Sequence, residues 1–220
     1  MNFELTASDH HTFAAYRVEP AGPPRGGIVV VQEIFGVNSH IRSVAESFAR
    51  DGYLVLAPAL FDRVQRGVEL GYTKDDVAKG RELRGQCSLD ATLLDIGTAV
   101  AAVQVAGKVG VVGYCWGGFL TWMTSVYVPG VACAVAYYGT GILDHADLEP
   151  RCPVLAHFGE RDAAIPAEGV RRLAARHPAH QFFLYPADHG FNCDQRASYD
   201  AASAQLARER TLAFFRQHVG

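Results

Sequence analysis

The strongest constraint on the fold is a regular alternation between short apolar runs and helical patterns along the chain. The apolar runs, rich in β-branched residues, lie at residues 28–31, 53–57, 109–112, 131–137, 154–158 and 182–185. Unbroken apolar character over so few residues is typical of strands that are covered on both faces. The chain is therefore predicted to hold a sheet whose strands are buried by helices.

Helical spacing of apolar residues fills the intervals between these runs. One helix is predicted from the N-cap candidate Asn38 to a stop at Gly52, and others at about 74–84, 89–104, 117–127, 167–176 and 198–218. Strands separated by helices predict an α/β fold: a mostly parallel, twisted sheet with helices on both faces.

Three smaller features complete the predicted fold. Residues 11–18 are expected to form an additional strand in an antiparallel start, Ser88 is the N-cap candidate of the helix that follows it, and residues 58–73 look irregular. No linker, internal repeat or low-complexity tract divides the chain, so residues 1–220 are expected to form a single domain. A chain of this size buries enough surface to fold without a disulfide or a metal.

Charge and cysteine usage exclude several classes of function. A net charge of -3 gives no basic field for nucleic acid or an anionic membrane. No run approaches the ~20 apolar residues of a membrane span, and the N-terminal residues do not resemble a secretory signal. The five cysteines form no C-x-x-C pair, so neither a disulfide framework nor a thiolate zinc site is indicated. A cytoplasmic protein, with a monomer favoured, is expected.

A cysteine follows the apolar run at 109–112. Residues 113–118, GYCWGG, match the strand–turn–helix elbow G-x-S-x-G with Cys115 in place of the serine. Small flanking residues avoid clashes at such a turn, and the N-terminus of the following helix favours a thiolate. The competing interpretation is an ordinary turn with a buried structural cysteine; the glycine spacing favours a catalytic nucleophile.

An acid and a base follow two later strands, where parallel sheets place their chemistry. His189 comes directly after the last predicted strand, and Asp162 directly after the strand at 154–158. The order nucleophile, acid, base is the one found with this elbow, so Cys115, Asp162 and His189 are predicted to form a catalytic triad. Glu160 is the competing acid but lies nearer the strand.

The position of each remaining histidine in the predicted fold indicates its burial. His157 lies within a strand and is predicted to be a core residue, whereas the others, His40 and His177 among them, are expected at surface or capping positions.

The oxyanion hole of this elbow is formed by two backbone N–H groups. The donors are predicted to be the N–H groups of Trp116 and of Ile34, which lies in the loop after an early strand.

The chain resembles the dienelactone hydrolases (carboxymethylenebutenolidases), which have the α/β-hydrolase fold. The resemblance spans about residues 25–218 and rests on the segments QEIFGVN at 32–38, GYCWGG at 113–118, YYG at 137–139, the Asp162 loop, ADHGF at 187–191 and ERTLAFF at 209–215. It implies a hydrolase that opens a lactone or cleaves a small carboxylic ester, with a small-molecule substrate and no metal or organic cofactor.

The resemblance also implies roles around the triad. Glu33 is similar to a glutamate that helps to deprotonate the thiol when substrate binds, although it could instead cap the helix near Asn38. Phe35, Tyr137 and Arg81 are the candidates for substrate contacts.

One departure from the family concerns the cations that hold the substrate carboxylate. The family uses an arginine from a helix before the elbow and another four residues after the histidine; here that second position is Cys193. Arg81 or Arg84 could supply the first, and Arg196 lies near the second. Loss of the second arginine is expected to leave Glu33 unrestrained and to shift the substrate range towards less acidic lactones or esters.

Three other interpretations use the same residues. The chain could be a broad-specificity esterase or thioesterase, a non-catalytic protein of hydrolase fold that binds a small ligand, or a thiol-redox protein in which Cys193 approaches Cys115 in space.

Overall fold

The computed structural model describes residues 2–220 as one sheet flanked by helices. The eight strands are β1 (Asn2–Thr6), β2 (Thr12–Val18), β3 (Gly27–Val31), β4 (Leu54–Pro58), β5 (Val109–Tyr114), β6 (Val131–Tyr137), β7 (Val154–Gly159) and β8 (Gln181–Tyr185). The six α-helices are α1 (Ser39–Arg50), α2 (Lys74–Gln86), α3 (Leu89–Val103), α4 (Trp116–Tyr127), α5 (Ala167–Arg176) and α6 (Ala201–His218).

The strands form one sheet in the order β1-β2-β4-β3-β5-β6-β7-β8. Pairing is parallel from β4 through β8, and only β1 with β2 and β2 with β4 pair antiparallel. Every residue of β3, β4, β5 and β7 is buried, as their unbroken apolar runs predicted. The α/β fold with a mostly parallel sheet is therefore confirmed; β1 is a strand that the sequence did not indicate.

Side-chain caps set the starts of several helices. The Asn38 side chain accepts the Ile41 amide at 3.2 Å, and the Ser88 hydroxyl accepts the Ala91 amide at 3.5 Å, so both predicted N-caps are confirmed. The last helix begins at 201 rather than 198, because the Asp200 carboxylate accepts the Ser203 amide at 2.9 Å and sets the first turn there.

Helix α3 is long and apolar. With the 3-10 turn that follows it, Leu89–Ala106 has the length and hydropathy of a membrane-spanning segment, and 33% of this stretch is buried. The helix packs on β3 and β4 and against α4. The expected absence of a membrane-spanning segment stays a prediction.

The burial of two histidines differs from what the sequence predicts. His157 is fully buried, with its ring nitrogens 2.8 Å from the Tyr185 hydroxyl and 3.1 Å from the Thr211 hydroxyl, as expected of a core residue. His40 and His177 were expected at the surface or as caps, and this was wrong: each is only 3% exposed. Long-range contacts bury both: His40 lies beside Asp194, and His177 packs against Trp122.

Candidate active site

The elbow at 113–118 lies between β5 and α4. Cys115 has φ 54° and ψ -115°, a conformation that costs free energy for a residue with a side chain and that holds the thiol at the sharp strand-to-helix turn. A Cβ on Gly113 would lie 2.0 Å from the Gly117 carbonyl oxygen, and a Cβ on Gly117 would lie 2.3 Å from the Val31 carbonyl oxygen. The two glycines are therefore required by backbone contacts of the turn.

The acid and the base meet at the end of the sheet. Asp162 Oδ2 lies 2.7 Å from His189 Nδ1, and Asp162 Oδ1 accepts the Ala164 amide at 2.9 Å. Asp162 is 4% exposed, whereas Glu160, the competing acid, is exposed to solvent. Of the two acids, the structure brings Asp162 to the histidine.

His189 also contacts the thiol. Burial lowers the pKa of His189, but its hydrogen bonds to Asp162 and Cys115, together with their charges, outweigh burial and raise the pKa to about 10. The three residues predicted from separate loops thus form one chain of contacts, Asp162–His189–Cys115.

A cavity of about 500 Å³ opens above these residues. Its walls combine apolar, cationic and anionic side chains: Ile34, Phe35, Val77, Arg81, Arg84, Cys115, Trp116, Thr140, Arg161, Asp162, Ala163, Ala164, Asp188, His189, Arg196 and Ser198. The Trp116 ring is stacked on Phe61 with centroids 5.4 Å apart. The structure thus brings Ile34, Trp116, Phe35 and Arg81 into the same cavity as Cys115.

Tyr137 does not lie in this cavity. It is fully buried, and its hydroxyl is 2.7 Å from the Thr211 hydroxyl on α6, so the expectation that it contacts substrate was wrong. The reason is strand alternation: successive side chains of β6 point to opposite faces. The next residue, Tyr138, has a positive φ of 37° and packs its ring edge against His189 at 5.1 Å between centroids.

Glu33 lies in the interior beside the cavity and is fully buried. Its carboxylate accepts a hydrogen bond from the Tyr72 hydroxyl at 3.2 Å and lies 3.4 Å from Nη1 of Arg196. Helix α1 is capped by Asn38, so the capping alternative for Glu33 is not what the structure shows. A glutamate held by one hydroxyl and one guanidinium is restrained.

The restraint on Glu33 corrects the expectation drawn from Cys193. Two consecutive turns follow the catalytic loop: the Cys193 amide donates to the Gly190 carbonyl at 3.0 Å, and the Arg196 amide donates to the Cys193 carbonyl at 3.1 Å. They return the chain so that Arg196 packs over Gly190, where a Cβ would lie 2.4 Å from its Nη1. The cation is therefore supplied three positions later than expected.

Helix α2 supplies the two other predicted arginines. Gly80 allows this helix to approach the Ile34 loop, since a Cβ there would lie 2.2 Å from the Ile34 carbonyl oxygen. Arg81 and Arg84 are exposed residues that line the cavity. Arg161, which the sequence analysis did not single out, also lines it, with Nε 3.6 Å from Asp188.

Three residues of this region were not predicted from the sequence: Tyr72, Tyr138 and Arg161. Tyr72 lies in the irregular segment at 58–73, which gives no periodicity, and its link to Glu33 is a tertiary contact. Tyr138 had a signal, because it stands beside Tyr137 in the YYG segment, but the register of β6 was needed to choose between the two.

Comparison with known proteins places the chain in a family. The profile of the Dienelactone hydrolase family matches residues 13–219. A Synechocystis sp. protein named "Putative carboxymethylenebutenolidase" is 36% identical over 227 residues, covering 94% of this chain and 92% of that protein. A Methylorubrum extorquens protein of the same name is 35% identical, covering 93% of this chain and 76% of that protein.

Solved structures agree with this assignment. A "Putative Dienelactone Hydrolase" from Klebsiella pneumoniae subsp. pneumoniae superposes with a TM-score of 0.87 at 31% identity, and each chain covers 99% of the other. A Pyrococcus furiosus esterase superposes with a TM-score of 0.74 at 16% identity, covering 100% of this chain and 93% of that one, which supports the fold alone. The chain therefore belongs to the dienelactone hydrolase family and is a hydrolase with the α/β-hydrolase fold.

Proposed function

We propose that this hydrolase opens a lactone, or cleaves a small carboxylic ester, with Cys115 as nucleophile, His189 as acid and base, and Asp162 as the residue that orients His189. The observation that carries the proposal is the contact chain Asp162–His189–Cys115 at the wall of a cavity of about 500 Å³. A substrate carbonyl in this cavity has direct access to the thiol.

The resting state of the pair is proposed to be a thiolate facing a protonated imidazole. The raised pKa of His189, about 10, keeps its proton in place at neutral pH. The positive N-terminal end of α4 lies at Cys115 and favours the thiolate further.

The reaction is proposed to run through a thioester. The Cys115 sulfur bonds to the substrate carbonyl carbon, and the backbone N–H groups of Trp116 and Ile34 stabilise the negative oxygen that forms. As first residue of α4, Trp116 has no intrahelical acceptor for its N–H. The C–O bond then breaks, and His189 donates its proton to the leaving alkoxide. Water attacks the thioester with His189 as base, the carbon–sulfur bond breaks, and the acid is released while the Cys115 thiolate and protonated His189 are restored.

The proposed substrate carries a carboxylate in addition to the reacting ester. Arg81, Arg84 and Arg161 line the cavity together with Arg196. Arg196 is already engaged by Glu33, and Arg161 lies 3.6 Å from Asp188. The arginines of α2 are therefore the proposed cations for a substrate anion. An arginine–carboxylate hydrogen bond contributes roughly 1.5–3 kcal/mol, or about ten- to hundredfold in affinity.

Hydrolysis of a panel of unsaturated lactones and matched esters, with and without a carboxylate, tests this function. Wild-type protein is expected to prefer the carboxylate-bearing member of each pair, and Cys115→Ala to lose several orders of magnitude in kcat/KM. Hydrolysis that survives Cys115→Ala would refute the nucleophile. A preference for the neutral esters would refute the substrate class while leaving the triad intact, and would favour the broad-specificity esterase.

We further infer a cytoplasmic location. All five cysteines are free thiols in the described chain, which suits a reducing compartment. Labelling of thiols in cells with a membrane-impermeant reagent checks this, because a cytoplasmic protein remains unlabelled until lysis.

A further inference from the structure

Behind the catalytic cavity, three buried side chains of different chemistry converge. A carboxylate oxygen of Glu33, a ring nitrogen of His40 and the sulfur of Cys193 lie within 4.8 Å of one another. Their residues are 0%, 3% and 0% exposed. Carboxylate, imidazole and thiolate are together the ligand types of zinc.

The surroundings of the two ring nitrogens of His40 match those of a metal-binding histidine. Nδ1 lies 3.4 Å from Oδ1 of Asp194, whereas Nε2 is buried with no hydrogen-bond partner among the described residues. A buried ring nitrogen without a partner costs free energy, so such atoms are uncommon in folded proteins. Metal-binding histidines usually donate one ring N–H to a carboxylate while the other nitrogen binds the ion.

We propose that Glu33, His40 and Cys193 form a binding site for Zn²⁺ that is separate from the Cys115–His189 pair. Zinc bonds of about 2.0–2.3 Å place tetrahedral ligands about 3.5 Å apart, so the three side chains need to move together by about 1 Å. A water molecule supplies the fourth ligand. One of the three ligands, His40, borders a cavity of about 400 Å³ that Asn192 and Asp194 also line.

Either the Arg196 guanidinium or Zn²⁺ can balance the negative charge of the site. Without zinc, the Glu33 carboxylate is offset by the Arg196 guanidinium 3.4 Å away. On zinc binding, Cys193 loses its thiol proton to solvent, so two negative ligands offset the two charges of the ion. Arg196 is then surplus. Its side chain is 22% exposed and faces the catalytic cavity, so it can rotate away from Glu33 towards solvent.

Neighbouring hydrogen bonds support the ligands. The Tyr72 hydroxyl donates to Glu33 at 3.2 Å and contacts the Cys193 sulfur. The Asn38 side-chain amide in turn donates to the Tyr72 oxygen at 3.2 Å. These outer contacts fix the carboxylate and the sulfur on the same side of the site, which is how proteins orient metal ligands.

Cobalt(II) absorption tests the site independently of hydrolysis. In Cys115→Ala protein, which removes the catalytic thiol as a competing ligand, Co²⁺ is expected to produce a near-ultraviolet sulfur-to-cobalt charge-transfer band. The further change Cys193→Ser should abolish the band. Cys87→Ser is the matched control, because Cys87 is a half-buried thiol outside the cluster, and it should leave the band unchanged.

The other ligands give graded effects. His40→Gln is expected to weaken Co²⁺ or Zn²⁺ binding at least tenfold, and Asp194→Asn about tenfold, since Asp194 acts only by orienting the ring. Zn²⁺, but not Mg²⁺, should raise the melting temperature of Cys115→Ala protein, and should leave that of the Cys115→Ala/Cys193→Ser protein unchanged.

Two outcomes overturn the proposal. One is the absence of any sulfur–cobalt band in folded Cys115→Ala protein. The other is a band that persists after Cys193→Ser, which would assign the metal to another thiol. Circular dichroism of each variant confirms that it is folded. None of these measurements depends on whether the lactone hydrolysis proposed above is correct.

Discussion

The Arg196 guanidinium lies 3.4 Å from the Glu33 carboxylate, although 163 positions separate the two residues in the chain. Glu33 is fully buried, and the Arg196 side chain is 22% exposed. A buried carboxylate requires a compensating charge or hydrogen bonds. The pair therefore links the loop after β3 to the loop after β8 at the wall of the catalytic cavity.

Replacing this cation should destabilise the protein. In Arg196→Gln, the Glu33 carboxylate stays buried without its ion pair, so the free energy of unfolding is expected to fall by about 1–3 kcal/mol in urea titrations at pH 7. Arg84→Gln is the control, because Arg84 is an exposed residue of α2, and it should change stability by less than about 0.5 kcal/mol. Equal stability of the two variants would show that the pair contributes nothing.

The orienting acid gives a second test. Asp162→Asn removes the charge that holds Nδ1 of His189 at 2.7 Å, and kcat/KM for a lactone or ester is expected to fall by about 10³–10⁴. Glu160→Gln is the matched control, since Glu160 is exposed beside the same strand end, and it should retain activity. If Glu160→Gln were the more damaging change, the acid would be assigned wrongly.

The hydrogen bond between Asp162 and His189 should be visible in the titration of the histidine. Because the pKa of His189 is raised to about 10, its ring is expected to stay protonated across neutral pH. In Asp162→Asn, loss of the hydrogen bond and of the carboxylate charge lowers this pKa, so the ring should titrate at a lower pH than in the wild type. The NMR chemical shifts of the His189 ring protons measure both titrations, and an unchanged midpoint in Asp162→Asn would contradict the contact.

Acid should destabilise the core through His157. Burial lowers the pKa of His157 to about 3, so the folded state keeps it neutral while the unfolded chain protonates it below about pH 6.5. The unfolded state therefore binds more protons on acidification, and the free energy of unfolding falls between about pH 6.5 and 3. By pH 4 this contributes a loss of up to about 3 kcal/mol. Urea titrations at pH 7 and pH 4 measure it, and His157→Gln should show a smaller decline.

The glycines of the elbow are predicted to be intolerant of a methyl group. Gly117→Ala would place Cβ 2.3 Å from the Val31 carbonyl oxygen, so the backbone of α4 has to shift, at a cost of roughly 1–3 kcal/mol and most of the hydrolytic activity. Gly85→Ala on α2 is the control, because nothing lies within 4 Å of its Cβ, and it should stabilise the helix by up to about 1 kcal/mol. Thermal melts of the two variants decide this.

The state of Glu33 differs between the sequence-based expectation and the structure for a geometric reason. Position 193, where the family pattern has an arginine, holds a thiol, which implied an unrestrained Glu33. The two turns after Gly190 bring Arg196 back to Glu33 instead. Turn geometry of this kind depends on backbone hydrogen bonds across several residues, and spacing along the sequence does not indicate it.

The proposed zinc site shows the same limit. Its ligands are at positions 33, 40 and 193, so the sequence contains no short spacing of the C-x-x-C type that would indicate a metal site. In addition, His40 was predicted to be a surface or capping residue, whereas it is buried at the start of α1. Burial of His40 depends on the packing of α1 beneath the loop that carries Asp194, which is a long-range contact.

The sheet, its flanking helices, the elbow at Cys115 and the order of Cys115, Asp162 and His189 could all be predicted from the amino-acid sequence. Apolar periodicity, glycine spacing and caps act over a few residues, so the sequence pattern indicates them directly. The side of β6 to which Tyr137 points, the cation that pairs with Glu33 and the burial of His40 became known from the three-dimensional structure. Those outcomes depend on strand register and on packing between distant segments, where one residue of shift moves a side chain to the opposite face.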